Sequence, residues 1–554
     1  MTELLLITAW LFPLALIPVL FMRWRGLLPL AALPAFITAT LLPPGVDLEL
    51  PWFLLGSQYG LDASDRVFLM FSAFVWMISA AQAELTMRAQ PGFTRFGVFF
   101  LLAMSGNFWM ILGQDMVNFY LGFSLMGFAA YGLIVYDRNP EALRAGRIYL
   151  VMTLLAEVAL LTSFMMIFTY TQDLAPATNQ IAGVSNWAIA FLLLGLGIKA
   201  GFLFVHMWLP LSYTAAPAPA SAVLSGSMSK VALLGFIRYL PLGEITLWEW
   251  GMSFVMLGVM AIIYASVVGL LQTNSKTILA YSSISKMGLM GLLLGMAMMH
   301  PELSDFVIIA VVFFAAYHGL TKAALFLGVG ISHATSSKWV FGILMILALV
   351  MAGAPLTSGA MHKSLIKPVI QGLDGDMATL MSALLIISAI GTTLMMLRFL
   401  FVIHSRESGQ ASSPARIAIP WSMLVAAVVL LPFALPYAFP SILDSWPVLF
   451  AVLVAVVMLR FLPQLLRALP GRIPPGDMIV VFSHLYRSLH HFSVVCSNRL
   501  EKLAQGRKTV NVNLLHNWKS ILIPGVEKSL AAWQVSGILF MVIGIALFII
   551  LWLM

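Results

Sequence analysis

Ionisable side chains recur inside long apolar stretches of this sequence. Lys199 lies in LGLGIKAGFLF, Lys230 in SGSMSKVALLGF, and the pair His318 and Lys322 in AAYHGLTKAALFL. A charge within a membrane-spanning segment costs at least a few kcal/mol, so such residues usually face a polar path through the protein. The series also contains Glu157, Arg398 and His404.

Lysine is suited to relaying protons. Burial or a neighbouring cation lowers the pKa of a lysine and a nearby carboxylate raises it, so a lysine and a carboxylate together can act as a switch. An isolated lysine near a helix end has a simpler explanation, because its long side chain can extend the ammonium to the aqueous interface. We assign Lys276 and Lys338 to that class. Lys199 and Lys322 lie deeper and are predicted to relay protons.

The composition excludes a soluble enzyme. Of the 554 residues, 61% are hydrophobic and 9% are charged, whereas soluble domains carry about 25% charged residues. The net charge of +8 is attributed to membrane topology rather than to nucleic-acid binding. Cys496 is the only cysteine, which excludes an internal disulfide and a CxxC metal or redox site. With no nucleotide loop, flavin motif or catalytic triad, no cofactor or metal is predicted, and whether the chain belongs to an enzyme stays open.

Hydropathy predicts an all-α polytopic membrane protein with about sixteen transmembrane helices. The predicted spans lie near 4–22, 27–43, 68–86, 96–113, 115–136, 147–170, 186–209, 217–240, 252–272, 279–298, 304–330, 341–358, 376–404, 419–437, 446–463 and 533–553. The N-terminus lacks the basic region and the cleavage site of a signal peptide, so 4–22 is predicted to be a retained span.

Basic residues between the spans predict the orientation. If the N-terminus is outside, the cytoplasmic connections contain residues such as Arg23, Arg88 and Lys276, as the positive-inside rule requires. Acidic residues, among them Asp47 and Asp65, fall in an outer loop. Both termini are therefore predicted to lie outside a bacterial inner membrane.

Two spans are predicted to be broken. After His206, the prolines of WLP and of AAPAPAS separate two apolar stretches, and after AGAPLTSG, Lys363 falls where an outer connection is expected. Two interruptions about 140 residues apart favour an inverted repeat with discontinuous helices, whose open backbone lines a polar cavity. Ordinary proline-containing turns are the alternative.

Residues 464–532 form the most basic part of the chain and include Arg499 and Lys519. Apolar residues at helical spacing predict amphipathic helices along the cytoplasmic surface. The adjacent His490 and His491 could bind a metal, but no carboxylate or cysteine set accompanies them. A strut on the membrane surface is therefore favoured.

Four motifs occur in order between about residues 60 and 370. They are IKAGFLFVHMWLPLSYTAAPAPASAVLSGSMSKVALLGFIRYL, KTILAYSSISKMGLM, HGLTKAALFLGVGISHA and AGAPLTSGAMHKSLI. Together they resemble the antiporter-like subunits of complex I and the related subunits of cation/proton antiporters and membrane hydrogenases. The resemblance implies two inverted five-helix repeats, a broken helix in each, and a chain of lysines and histidines that relays protons across the membrane midplane.

The resemblance also implies roles for individual residues. Lys199 matches the central lysine of the first half-channel and Lys230 the bridging lysine that follows it. His318 and Lys322 match the central pair of the second half-channel.

Two positions depart from the family pattern. In DMVNFYLGFSLMGFAAYGL, Phe123 and Ser124 replace a Trp-Glu pair, so the carboxylate expected to partner Lys199 is missing. Ser225 stands where many relatives carry His. We predict that Glu157, one span later, has become the partner of Lys199. A helix-interface Glu that pairs with a hydroxyl is the alternative.

The sequence thus predicts a proton relay and a division of the chain. The predicted relay residues are Glu157, Lys199, His206, Lys230, His318, Lys322, Lys363 and Arg398. The predicted divisions are N-terminal helices 1–95, a first antiporter-like repeat 96–250, a second repeat 251–405, C-terminal helices 406–463, the basic amphipathic cytoplasmic segment 464–532 and a final transmembrane helix 533–554.

The predicted function is proton translocation by a membrane subunit of a larger energy-coupling complex. That complex would be complex I-like, hydrogenase-type, a multisubunit cation/proton antiporter or an inorganic-carbon uptake system. The predicted partners are other membrane subunits, a soluble or peripheral catalytic protein, the lipid bilayer, and protons, with Na+ as an alternative coupling ion. A self-sufficient secondary transporter for a small solute and a non-conducting scaffold are the alternatives.

Overall fold

The computed structural model describes residues 2–22, 26–335, 337–405, 417–434, 439, 441–461, 471 and 473–477. Of the predicted basic segment, only 471 and 473–477 are therefore described, and the predicted final span 533–554 lies outside the described residues. This part of the chain is mostly helical. The helices are α1 (Thr2–Ala15), α2 (Ile17–Phe21), α3 (Leu33–Leu41), α4 (Ala63–Met87), α5 (Phe93–Leu112), α6 (Met116–Ile134), α7 (Pro140–Thr171), α8 (Thr178–Ile181), α9 (Asn186–Ala200), α10 (Trp208–Ala215), α11 (Ala218–Val223), α12 (Val231–Tyr239), α13 (Trp248–Leu270), α14 (Ser275–Met299), α15 (Ser304–Ala334), α16 (Lys338–Ala352), α17 (Ser358–Gln371), α18 (Gly375–His404), α19 (Ala418–Leu430) and α20 (Trp446–Phe461).

The helices are those of a multi-pass membrane protein. Within the described ranges, 10 candidate spans are long and apolar enough to cross a bilayer. Shorter apolar helices lie at Leu28–Leu41, Asn186–Ala200, Lys338–Ala352, Ala418–Phe433 and Ile442–Met458. Each predicted span up to 446–463 overlaps one of these helices.

The loop between α3 and α4 departs from the all-α prediction. Strands β1 (Val46–Leu50) and β2 (Ser57–Leu61) pair antiparallel, with Val46 opposite Leu61. Apolar and acidic residues alternate in β1, which is the pattern of a strand with one buried face. Such a short hairpin does not stand out in a hydropathy profile that is scaled to transmembrane helices.

Asp65 is buried, contrary to its prediction as an outer-loop acid. Asp62 caps α4 by accepting a hydrogen bond from the Asp65 backbone N–H, 2.6 Å away, and this cap places Asp65 in the first helical turn. There Asp65 forms an ion pair with Arg238 of α12. Arg238 also donates to the Ile111 and Gly113 carbonyls at 2.5 and 2.7 Å, so the pair ties together α4, α5 and α12.

Two helices break at a glycine in the left-handed region. Gly201 ends α9 with φ +77° and Gly353 ends α16 with φ +76°. Three residues after each glycine, Phe204 and Leu356 also adopt positive φ, at 72° and 60°. Glycine reaches this conformation without the strain that a Cβ adds.

The predicted interruption at AAPAPAS is present, since Ala216 and Pro217 separate α10 from α11, but the first break, after Gly201, lies earlier than predicted. It occupies residues 201–207, so it precedes Trp208 and contains His206 instead of following it. Pro210 is accommodated inside α10, near its N-terminus, where a missing N–H costs little. The second break lies between Gly353 and Thr357, as predicted.

Helix α14 lies at the centre of the described bundle. All of its residues are buried except Lys276, which is half-buried. It packs against α10, α13, α15 and α18. Side chains of α14 therefore adjoin the first broken helix on one side and the helices around the second break on the other.

Candidate functional site

Glu157 and Lys199 approach each other beside a glycine. Both side chains are buried, on α7 and on the last turn of α9. A methyl group on Gly127 would lie 3.1 Å from Glu157 Oε1 and 3.6 Å from Lys199 Nζ. The absence of a side chain at Gly127 thus leaves the carboxylate and the ammonium facing the same small space, without a direct ion pair within 4.0 Å.

Ser124 holds the carboxylate of Glu157. Its hydroxyl donates to Glu157 Oε2, so the position that lacks the family's carboxylate contacts the acid on the next helix. Aromatic rings line the other side of the ammonium: Lys199 Nζ lies 5.2 Å from the Phe123 ring centroid and 6.0 Å from that of Tyr149. A cation at such distances is attracted by the ring faces.

Lys230 follows a π-helical turn at Leu224–Met228. Its buried ammonium donates to Ser229 Oγ at 3.0 Å. A methyl group on Gly226 would lie 2.9 Å from the Gly319 carbonyl oxygen, so the π turn packs with its backbone directly against α15. Single π turns of this kind often mark functional sites. The turn sets Lys230 beside the helix that carries His318 and Lys322.

His318 and Lys322 lie one turn apart on the same face of α15 and are both fully buried. Phe314 stacks on the His318 ring with centroids 4.6 Å apart. The Lys322 ammonium donates to the Leu279 carbonyl at 2.6 Å and to the Ser282 hydroxyl, which both belong to α14. Lys322 is therefore positioned by α14.

Lys286 extends the series, although the sequence analysis did not assign it a role. It lies one turn beyond Ser282 on α14, is 7% exposed, and its ammonium donates to Ser388 Oγ of α18 at 3.4 Å. A cavity of about 20 Å³ separates Lys286 from His362 and Lys363 of α17. Because it lies in the apolar span SKMGLMGLLLG, the criterion that identified Lys199 would also have identified Lys286.

Lys363 marks the second break. Its ammonium donates to the Gly353 carbonyl at 3.2 Å, which is the end of α16. A cation is favoured at the negative end of a helix dipole. The neighbouring His362, which the sequence analysis also missed, is buried and stacks against Phe313 with centroids 6.4 Å apart.

His206 and Arg398 lie apart from the lysines just described. The buried His206 ring contacts Tyr264 and Tyr281, and its Nε2 lies 3.7 Å from Asp477 Oδ1. Arg398 is half-buried and donates to the Gln272 carbonyl at 3.2 Å. The contacts of Arg398 thus link the ends of α13 and α18 and include no other predicted relay residue.

Lys276 does not extend to the aqueous interface as predicted. Its ammonium donates to the Ala216 carbonyl at 2.6 Å and contacts Ser221 Oγ at 3.4 Å. Ala216 ends α10, so this lysine instead caps the C-terminus of a helix in the first predicted repeat. Lys338 is exposed at the start of α16, as predicted.

Comparison with known proteins finds a family match over part of the chain. The family model "NADH:quinone oxidoreductase/Mrp antiporter, TM" matches residues 113–370, the range that contains both breaks and the buried Lys199, Lys230, Lys286 and Lys322. This part of the chain is similar to antiporter-like membrane subunits.

Similar proteins include subunits with two different names. The "putative antiporter subunit mnhA2" of Staphylococcus saprophyticus is 30% identical over 362 residues, which cover 58% of this chain and 44% of the relative. "NADH-quinone oxidoreductase subunit N" of Ruthia magnifica is 26% identical over 335 residues, covering 56% of this chain and 69% of the relative. The chain therefore spans about half the length of the mnhA2 relatives that it matches.

Two solved structures share the fold of this chain. A chain of the Mrp complex from Dietzia sp. DQ12-45-1b matches with a TM-score of 0.72 and 18% identity, over 94% of this chain and 62% of that chain. A chain of the membrane-bound sulfane sulfur reductase, an archaeal respiratory membrane complex, matches with a TM-score of 0.67 and 19% identity, over 82% of this chain and 96% of that chain.

Proposed function

We propose that this antiporter-like subunit translocates protons as part of a larger energy-coupling complex. The observation that carries the proposal is the series of buried lysines Lys199, Lys230, Lys322 and Lys286, which the half-buried Lys363 continues across a small cavity. Buried ammonium groups without fixed counter-ions are expensive in a membrane. A role in passing protons from one lysine to the next explains why the protein retains these costly side chains.

The size of the space beside the series favours protons over an organic solute. The cavity between Lys286 and Lys363 has a volume of about 20 Å³. That is room for about one water molecule. A water molecule suffices to pass a proton between side chains, whereas a self-sufficient solute transporter needs a larger pocket at this place.

Glu157 is proposed as the carboxylate that partners Lys199. A carboxylate close to an ammonium favours its charged form, and withdrawal of the carboxylate favours proton release. The hydrogen bond from Ser124 and the shared space at Gly127 support this assignment. The alternative is that Glu157 is a helix-interface residue that pairs only with a hydroxyl, and the hydrogen bond with Ser124 fits that role too. A variant that removes the charge of Glu157 distinguishes the two roles.

We further propose sixteen spans and two inverted repeats for the whole chain, with divisions at 96–250 and 251–405. The matching backbone at Gly201 with Phe204 and at Gly353 with Leu356 supports a repeated broken helix. The relay would include all eight residues predicted from the sequence, together with Lys286. Arg398 and His206 would act at its cytoplasmic side.

The proposed location is a bacterial inner membrane with both termini outside. The proposed partners are other membrane subunits and a soluble or peripheral catalytic protein, with protons and, as an alternative, Na+ as coupling ions. Relatives named as antiporter and NADH-quinone oxidoreductase subunits support a multisubunit setting. Cysteine labelling of Lys519→Cys in a Cys496→Ser background tests the topology, since labelling only from outside contradicts it.

The function is tested in membrane vesicles that contain the chain with its native partners. The partners are identified by copurification, and a pH-sensitive dye then follows proton movement driven by the reaction or ion gradient of the complex. Lys199→Ala and Lys322→Ala are each expected to abolish proton movement while the chain remains inserted. Lys199→Arg is expected to fail as well, because a guanidinium stays protonated.

Lys338→Ala is the matched control because Lys338 is exposed at a helix end. It should leave proton movement at the wild-type rate. Wild-type proton movement in Lys199→Ala and Lys322→Ala would remove both lysines from the path and favour the non-conducting scaffold.

A further inference from the structure

A short segment near residue 477 reaches back to the first broken helix. The Gly471 N–H donates to the Leu271 carbonyl at 2.8 Å, and the Gln272 side chain donates to the Ile473 carbonyl at 3.2 Å. These contacts fix the segment at the end of α13. The segment places Asp477 within the helix bundle, where the residue is 9% exposed.

Asp477 is surrounded by three titratable side chains from three elements. Tyr281 of α14 donates to Asp477 Oδ1 at 2.9 Å, and Tyr264 of α13 donates to Oδ2. His206 Nε2, in the break between α9 and α10, lies 3.7 Å from Oδ1. The carboxylate thus accepts two hydrogen bonds on one side and faces an imidazole on the other.

The imidazole of His206 is fully buried, and neither of its nitrogens has a hydrogen-bond partner among the described residues. A buried polar group that lacks a hydrogen-bond partner destabilises the folded protein. A small rotation of the ring would bring Nε2 within hydrogen-bond distance of Asp477. His206 is therefore held beside a carboxylate that it can exchange a proton with, at the point where the backbone of the first broken helix is open.

We propose that Asp477 and His206 form a proton-transfer site at the first break, with Tyr264 and Tyr281 orienting the carboxylate. The transfer is reversible: the proton moves between Asp477 Oδ1 and His206 Nε2, and a neutral carboxyl with a neutral imidazole becomes a carboxylate with an imidazolium. This inference rests on the proposed proton translocation. It adds to the path a residue from beyond both predicted repeats.

The tyrosines allow the proton-transfer role to be separated from anchoring. Asp477→Asn keeps an oxygen for one tyrosine hydroxyl and turns an amide N–H toward the other, whose oxygen can accept it, but the amide cannot carry the proton. The double variant Tyr264→Phe with Tyr281→Phe keeps the carboxylate and removes both hydrogen bonds. Asp477→Glu keeps the carboxylate on a longer side chain.

The experiment measures dye-reported proton movement in vesicles that contain the whole complex, normalised to chain abundance. Asp477→Asn should slow proton movement by about tenfold or more, as loss of a general acid–base group does. Asp477→Glu should recover much of the rate, and the double tyrosine variant should lose less than Asp477→Asn. His206→Gln should match Asp477→Asn and replaces it as the test if that variant does not accumulate.

Two further variants separate the possible failures. Asp444→Asn removes a half-buried carboxylate that pairs with the exposed Lys367, and it should leave the rate unchanged. A wild-type rate in Asp477→Asn, or equal losses of rate and abundance in Asp477→Asn and the double tyrosine variant, would overturn the proton-transfer site. A wild-type rate in Lys199→Ala would instead overturn the proposed function, whatever Asp477 does.

Discussion

The ammonium of Lys276 donates a hydrogen bond to the carbonyl oxygen of Ala216, 2.6 Å away. The bond joins the first turn of α14 to Ala216, the residue that caps the C-terminus of α10. A second contact, 3.0 Å between the hydroxyls of Thr214 and Thr277, lies beside it. The end of one broken helix is thereby tied to the central helix of the bundle.

Lys276→Ala is expected to destabilise the protein. It removes the hydrogen bond from the ammonium to the Ala216 carbonyl and leaves that oxygen with the Ser221 hydroxyl, 3.0 Å away, as its side-chain donor. A hydrogen bond from a charged group contributes roughly 1.5–3 kcal/mol. The measurement is the thermal unfolding midpoint of the purified protein in detergent. Lys338→Ala is the control because the sequence predicts that Lys276 and Lys338 both extend to the aqueous interface, and only Lys338 is exposed. The control variant should unfold like the wild type. Equal midpoints for the two variants would mean that the bond from Lys276 contributes nothing.

Glu157→Gln is expected to impair proton movement with little change in abundance. The amide has nearly the size of the carboxylate and can still accept the hydrogen bond from Ser124, but it gives Lys199 no counter-charge. Adding Ser124→Glu should partly restore the rate, because the Ser124 hydroxyl already contacts the Glu157 side chain. Dye-reported proton movement in vesicles measures both variants.

The single variant Ser124→Ala serves as a control for the hydrogen bond alone. It should reduce the rate less than Glu157→Gln does. If Glu157→Gln moves protons as fast as the wild type, Glu157 is a helix-interface residue that pairs with a hydroxyl.

Lys286→Ala is expected to interrupt proton movement between Lys322 and Lys363. Lys286 lies between the hydroxyl that holds Lys322 and the cavity shared with Lys363. The rate should fall by about a hundredfold, within the range of lost acid–base groups. Ser388→Ala removes only the hydrogen-bond partner of Lys286 and should have a smaller effect. A path that bypasses Lys286 would instead leave Lys286→Ala at the wild-type rate.

Truncation is expected to separate assembly from folding at the C-terminal end. A chain that ends at Asp477 loses most of the basic segment but keeps the contacts with Tyr264 and Tyr281, so assembly should weaken while the unfolding midpoint stays close to that of the wild type. A chain that ends at residue 470 loses those contacts too and should unfold earlier. Copurification of partner subunits and thermal unfolding measure the two effects. Equal midpoints in the two truncated chains would show that residues 471–477 do not stabilise the bundle.

Features set by local sequence could be predicted. The burial of Lys199, Lys230 and Lys322 follows from the apolar residues on both sides of each lysine. The break at Gly353 also follows from local residues, since glycine and proline end helices wherever they occur together.

Features set by distant partners could not be predicted. Hydropathy assigns a lysine near a helix end to the interface, but Lys276 donates a hydrogen bond to the Ala216 carbonyl, which lies far earlier in the chain. Asp65 is buried because it pairs with Arg238. Asp477 is buried because Tyr264 and Tyr281 donate hydrogen bonds to its carboxylate. Contacts between residues so far apart in the chain do not change the hydrophobic periodicity or the composition of the local sequence, so neither pattern predicts them.

The hydrogen bond between Ser124 and Glu157 has a consequence for how such proteins diverge. The side chains at positions 124 and 157 are in contact, so a carboxylate at either position occupies the same site. If evolution moves the acid from one position to the other by single substitutions, the intermediate sequence has an acid at both positions or at neither. Two carboxylates within hydrogen-bond reach would share a proton and leave a single negative charge facing Lys199. A sequence with no acid would leave that lysine unaccompanied. The permissive evolutionary intermediate is therefore the one with both acids, and natural sequences that carry acids at both positions should be viable.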